Sequence, residues 1–182
     1  MNNKFLRVPK IPAIEIKKIR KKYKLTQREL GELLNVSSRT VEAWEAERTQ
    51  ADGSVAKLLW LLNENPNLLQ KLIIPSKGEN IIRLYYMLGE RICTLIDIDE
   101  KKQLISIVNY TNNVLDRAFG NNLNPDYEDY KNFLKERCFP EERDMLKVEL
   151  RKLDIPFYDP FLIIEKTEGR VYGDEFWIKV ER

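Results

Sequence analysis

Apolar residues recur at helical spacing through the first seventy positions and at strand spacing soon after. Ile14, Ile16 and Ile19 predict a helix from Ala13 to about Tyr23, with Lys17, Lys18, Arg20, Lys21 and Lys22 exposed. Thr26 and Glu29 form a capping-box pair, so a second helix starts at Gln27 and buries Leu30, Leu33 and Leu34. Asn35 tolerates the left-handed conformation that ends a helix, Val36 turns back to the core, and Ser37 caps a third helix. There Val41 and Trp44 lie one turn apart and bury together, leaving Ser38, Arg39, Glu42 and Ala43 outside. Gly53 or Ser54 opens a fourth helix containing Val55, Leu58, Leu59, Leu61 and Leu62. Pro66 opens a fifth, short one ending near Leu72. Pro9 and Pro12 keep residues 1–12 irregular.

Residues 73–78 read as a linker, and beyond Gly78 the period changes. Ile82–Tyr86, Arg91–Ile98 and Gln103–Tyr110 have β-branched and aromatic content at strand spacing, with a turn at Asp99–Lys102. Leu88-Gly89 either separates the first two strands or places a bulge. The stretch 119–125 is a loop. Asn124 caps the next helix, with Pro125 at its first position, acidic residues in its first turn, and Tyr127, Tyr130, Phe133 and Leu134 as its buried stripe. Pro140 starts another helix carrying Lys147, Arg151 and Lys152 late, and a third runs from Asp159-Pro160 to Gly169. The segment 175–180 is a final strand. The predicted fold is an all-α five-helix domain over residues 1–77, followed by a small α+β domain over 78–182.

Charge divides at the same place. Residues 1–77 carry 15 Lys and Arg against 8 Asp and Glu, a net of +7; the remainder carries 16 against 21, a net of −5. A basic half beside an acidic half points to different partners for the two. Histidine is absent, which removes histidine-based nucleophile activation, acid–base work and metal ligation together. Two cysteines are too few for a disulfide framework and suit a reducing compartment. No apolar run has the length of a membrane span and the start lacks the apolar core of a secretory leader, so the expected location is the cytoplasm of a bacterial host cell.

Asp97, Asp99 and Glu100 are the carboxylates that invite a metal or nuclease reading. Without a separate third carboxylate motif they read as a charged hairpin end. Cys93 and Cys138 read as small buried hydrophobes, Tyr127, Tyr130 and Phe133 as core, and Arg137, Arg143 and Arg170 as partners for nearby carboxylates. No phosphate-binding glycine loop is present. The expectation is no catalytic residue, no metal and no cofactor.

Leu25-Thr26-Gln27, Glu29-Leu30, Leu33-Leu34, Val36-Ser37, Thr40-Val41 and Trp44-Glu45 together resemble the helix-turn-helix of phage-repressor-type regulators, including their antitoxin-like branch. The likeness continues through Asp52-Gly53, Leu58-Leu59, Leu61-Leu62 and Asn65-Pro66. It departs at Asn35 and Glu47, where the family more often has glycine. The resemblance implies a dimer on an inverted-repeat DNA operator. It places Ser38, Arg39 and Ala43 at base-facing positions, and Gln27, Ser37, Thr40 and Arg48 at phosphate-contacting ones. Lys4, Arg7 and Lys10 of the N-terminal arm either follow the DNA or belong to a plain tail. The run from Asn124-Pro125 through Arg137-Cys138-Phe139-Pro140, Tyr158-Asp159-Pro160 and Gly169-Arg170 to Phe176-Trp177-Ile178 looks like a small domain common in mobile-element proteins. The whole chain then resembles the two-domain anti-CRISPR proteins of phages. That likeness implies an autorepressor fused to a domain that binds and inhibits a type II CRISPR effector nuclease. The alternative is an antitoxin whose C-terminal domain binds a toxin.

Overall fold

The computed structural model describes residues 4–182, which form two compact units meeting in sequence between Ile74 and Pro75. The first is helical: α1 (Ala13–Lys22), α2 (Gln27–Leu33), α3 (Ser38–Glu45), α4 (Gly53–Glu64) and a 3-10 turn over Pro66–Lys71. The starts of α2 and α3 are fixed by side-chain caps. Thr26 Oγ1 accepts from Glu29 N at 3.1 Å while Glu29 Oε2 accepts from Thr26 N at 2.7 Å, closing the capping box. Ser37 Oγ accepts from Thr40 N at 3.1 Å. Ile16, Ile19, Leu30, Val41, Trp44 and Leu59 form the core, each under a tenth exposed.

Three ends of this unit share one device. After α1, α2 and α3 the chain passes through a left-handed residue, Lys24 (φ 56°), Asn35 (φ 53°) and Glu47 (φ 60°). In each case the next amide bonds back to a carbonyl five residues earlier: Leu25 to Arg20, Val36 to Gly31 and Arg48 to Ala43. This is the Schellman closure, which glycine favours; only Asn35 among the three is a residue that adopts the conformation readily. Gly31 is needed for a different reason. A Cβ there would lie 2.8 Å from the carbonyl oxygen of Val36, so the α2–α3 turn closes against bare backbone.

Three expectations for this unit are corrected. Ile14 is 65% exposed, because Ala13, Ile16 and Ile19 already define the buried stripe and Ile14 falls outside it. The fifth helix is of 3-10 type. Arg20 is tucked against α3 by an ion pair described below, not displayed with the lysines.

The second unit is a four-stranded antiparallel sheet of order β3-β2-β1-β4, built from β1 (Ile82–Leu88), β2 (Arg91–Asp99), β3 (Leu104–Asn109) and β4 (Phe176–Glu181). Helices α5 (Tyr127–Glu136), α6 (Leu146–Lys152) and α7 (Pro160–Thr167) lie between β3 and β4 in sequence. Leu84, Ile96 and Ile178 share a core with Tyr130, Phe133 and Leu134 of α5 and Ile164 of α7. Of the two readings of Leu88-Gly89 the separation holds: Gly89 (φ 57°) occupies a two-residue turn between paired Leu88 and Arg91, and the register shift of this hairpin lies elsewhere, between Tyr86 and Met87.

Two helix starts differ from expectation. Asp126, not Asn124, caps α5. Its carboxylate accepts from Asp129 N at 2.9 Å while Asp129 accepts from Asp126 N at 3.0 Å; the Asn124 amide instead bonds Asn122 Oδ1. The run after Pro140 stays in turns until Met145, whose left-handed backbone (φ 59°) blocks helical continuity, so α6 starts at Leu146.

Asp97 is the cross-strand partner of Arg83. Both its oxygens accept from that guanidinium, at 2.6 and 2.7 Å, and Arg83 also donates to Pro75 O at 2.6 Å. Asp99 accepts from the Lys102 backbone and ammonium. Among the described residues no group of three His, Cys, Asp or Glu is placed to hold a metal.

Arg83 is only 2% exposed, so Asp97→Ala strands a buried cation; it is expected to cost about 3–5 kcal/mol, read from urea unfolding of the sheet signal. Glu47→Gly relieves a left-handed residue and is expected to gain about 0.5–1 kcal/mol in the unfolding free energy of the first unit.

Candidate nucleic-acid interface

Glu45 falls on the same stripe of α3 as Val41 and Trp44, one turn beyond Val41, and is 6% exposed. A carboxylate at such depth requires a cation, and α1 supplies it. Arg20 Nε lies 2.7 Å from Glu45 Oε1 and its Nη2 lies 3.0 Å from Oε2, a two-pronged pair. Arg20 Nη1 donates to Leu25 O at 3.1 Å, and Gln27 Nε2 donates to Glu45 Oε2 at 2.9 Å. One carboxylate therefore joins α1, the α1–α2 turn, the start of α2 and the end of α3. The Arg20 hydrogen bonds hold the Glu45 carboxyl below its ordinary range against the opposing effect of burial, with Gln27 assisting.

With α3 fixed by this network, its outer face is defined. Ser38, Arg39 and Glu42 are exposed, Thr40 and Ala43 half-buried. Arg39 has no hydrogen-bond or ion-pair partner among the described residues. The Ser37 and Thr40 hydroxyls lie 2.8 Å apart, so each helps orient the other. On α1, Lys17, Lys18 and Lys21 are exposed, while Lys22 donates to Asn63 O at 3.0 Å. Lys4, Arg7 and Lys10 are exposed on an irregular arm. The far end of the arm is pinned where Ile11 N donates to Ala51 O at 3.1 Å.

The residues assigned to base and phosphate contacts are thus not equivalent. Ser38, Arg39 and Ala43 lie together on α3, with Ser37 and Thr40 at its leading end. Gln27 has one amide N–H committed to Glu45. Arg48 is ion-paired with Glu42 on the surface, so the carboxylate expected to be solvated neutralises the guanidinium expected to meet phosphate. Arg20 and Glu45 were not among the assigned residues. Their signal was present in the pattern: each stands at i+4 from a core residue, Ile16 and Val41, where a charge requires an opposite charge.

Residues 3–73 match the family described as the antitoxin component of a bacterial toxin–antitoxin system, MqsA. The match falls on the helical part of the chain and covers less than half of its length. No curated protein matches the chain. Among the described residues no helix is long and apolar enough to cross a membrane.

Because the folded Glu45 has a lowered pKa, its stabilising effect is complete above the unfolded carboxylate value of about 4.3 and is lost as pH falls through the lower folded value. Acid unfolding of the first unit is therefore expected to steepen below about pH 4.3. Glu45→Gln should flatten that limb and cost about 1.5–3 kcal/mol at neutral pH, measured by urea titration across pH.

Proposed function

We propose that the chain is a DNA-binding transcriptional regulator of the antitoxin type, acting by binding and without catalysis. The observation that carries this reading is the antitoxin-family match over residues 3–73, the stretch that holds the exposed face of α3. In this reading α2 and α3 act as a helix-turn-helix, and α3 lies in the major groove with Arg39 bonding a guanine edge through two N–H groups. Ser38 and Ala43 border the same base steps. Ser37, Thr40, the spare N–H of Gln27 and the lysines of α1 meet phosphates, which sets register and makes affinity salt-dependent. The excess of positive charge in residues 1–77 is in keeping with that duty. In this reading two copies bind an inverted repeat, the operator symmetry that matches a two-fold dimer.

The acidic second unit binds a protein partner, which on this reading is a toxin. The family match favours this assignment over inhibition of an RNA-guided nuclease.

The test is a gel-shift titration of the full chain on DNA upstream of its own gene, at fixed salt. Arg39→Ala is expected to cost about 1–3 kcal/mol and to relax preference at one base pair of each half-site. Arg48→Ala, removing a guanidinium already paired with Glu42, is expected to cost under 1 kcal/mol. Unchanged affinity for Arg39→Ala would overturn the placement of α3.

A further inference from the structure

Helix α4 presents an outer stripe that its own unit does not cover. Ala56, Leu59 and Leu62 are fully buried, whereas Lys57, Trp60, Leu61 and Glu64, spaced three and four residues apart, are all exposed. Trp60 is 37% and Leu61 39% exposed, and of the other large apolar residues on α1–α4 only Ile14 is exposed. Tryptophan is a residue that protein interfaces gather.

The charges at the two ends of the stripe are left for a neighbour. Lys57 and Glu64 stand two turns apart, about 10 Å along the axis. Neither side chain has a hydrogen-bond or ion-pair partner among the described residues. Glu64 is the last residue of α4, where the helix's own dipole disfavours a carboxylate.

The order cation, tryptophan, leucine, carboxylate is its own complement when reversed. In an antiparallel pair of α4 helices centred between Trp60 and Leu61, Trp60 meets the partner's Leu61 and Lys57 meets the partner's Glu64. Each contact occurs twice, as a two-fold interface demands. A parallel pair would instead set like charges against each other at both ends. The antiparallel arrangement also brings each Glu64 beside the N-terminal half of the other helix, the side of the dipole that favours an anion.

Charge selects this face over others of the same unit. Residues 1–77 carry a net of +7, so two copies repel over much of their surfaces, most of all at Lys17, Lys18 and Lys21 of α1. The α4 stripe carries one charge of each sign.

We infer that two copies of this chain associate through α4, packed antiparallel about a two-fold axis between Trp60 and Leu61. The inference rests on the two-copy reading proposed above, for which it supplies the joining surface.

The test is sedimentation equilibrium of the full-length protein without DNA, over a concentration series. Trp60→Ala is expected to weaken self-association about a hundredfold. Lys57→Glu and Glu64→Lys should each weaken it about tenfold, because each leaves like charges facing one another twice. The double variant Lys57→Glu/Glu64→Lys exchanges the signs and restores the complement. Its association is expected to return to within about threefold of the original, a rescue that a misfolded variant would not show. A monomer at every concentration overturns the inference, as does a dimer that the single charge variants leave intact or that the double variant fails to restore. A gel shift on the same samples separates the two readings. Operator binding by a chain whose copies do not meet through α4 overturns the interface and leaves the DNA assignment standing. A dimer that responds as expected but shifts no DNA upholds the interface and overturns the DNA assignment.

Discussion

Arg20 and Glu45 set the geometry of the helical unit. Without their two-pronged bond, α1 and α3 would meet only through apolar side chains, which attract but do not fix rotation about a helix axis. Hydrogen bonds from a planar guanidinium to both oxygens of one carboxylate do fix it, because they fail once either partner turns. Gln27 adds the start of α2 to the same carboxylate, and Arg20 reaches the Leu25 carbonyl at the turn before it. The outward direction of Arg39 is thus a consequence of a bond made six residues further along α3, on its opposite side. The pairing is also economical in charge: it removes one cation from the surface of α1 and leaves Lys17, Lys18 and Lys21 as the positive face.

The α+β unit applies the same chemistry to other joints. Arg83 joins β1 to β2 and to the Pro75 carbonyl. Arg137, at the end of α5, donates to Asp174 and to the carbonyls of Gly169 and Phe176, which fastens the segment leading into β4. Each guanidinium is nearly buried and has both carboxylate and carbonyl partners, the condition under which a buried ion pair is tolerated. Arg83 and Arg137 connect places that are distant in sequence, and a sheet whose last strand arrives after three helices depends on such ties.

Local patterns were legible where the physics is local. The capping box at Thr26 and Glu29, the cap at Ser37, the left-handed Asn35 and the stripe of α5 depend on residues within four positions of one another, and the sequence displays them directly. The errors have equally physical origins. Asn124-Pro125 and Asp126 compete to cap one helix, and the choice went to the carboxylate with a reciprocal partner at Asp129. Pro140 and the acidic residues after it imitate a helix start, but Met145 interrupts them. Asp97 read as a solvated hairpin charge because its partner, Arg83, becomes its neighbour only when two strands pair. Of the face assigned to DNA, the outward placement of the α3 positions followed from periodicity and their assignment to bases from the resemblance. The capture of Arg48 by Glu42 did not, since it depends on how the chain turns after Glu47.

That turn and the one at Lys24 have a consequence for how often the helical unit is found open. Lys24 and Glu47 each hold a conformation that costs a side-chain-bearing residue about 1 kcal/mol or more. Expressed as populations, the two together lower the ratio of folded to unfolded molecules by roughly thirtyfold relative to glycine-closed helices, before the extra chain entropy of glycine is deducted. A protease that cleaves only the opened chain would therefore meet its substrate more often than in a glycine-closed version of the same unit.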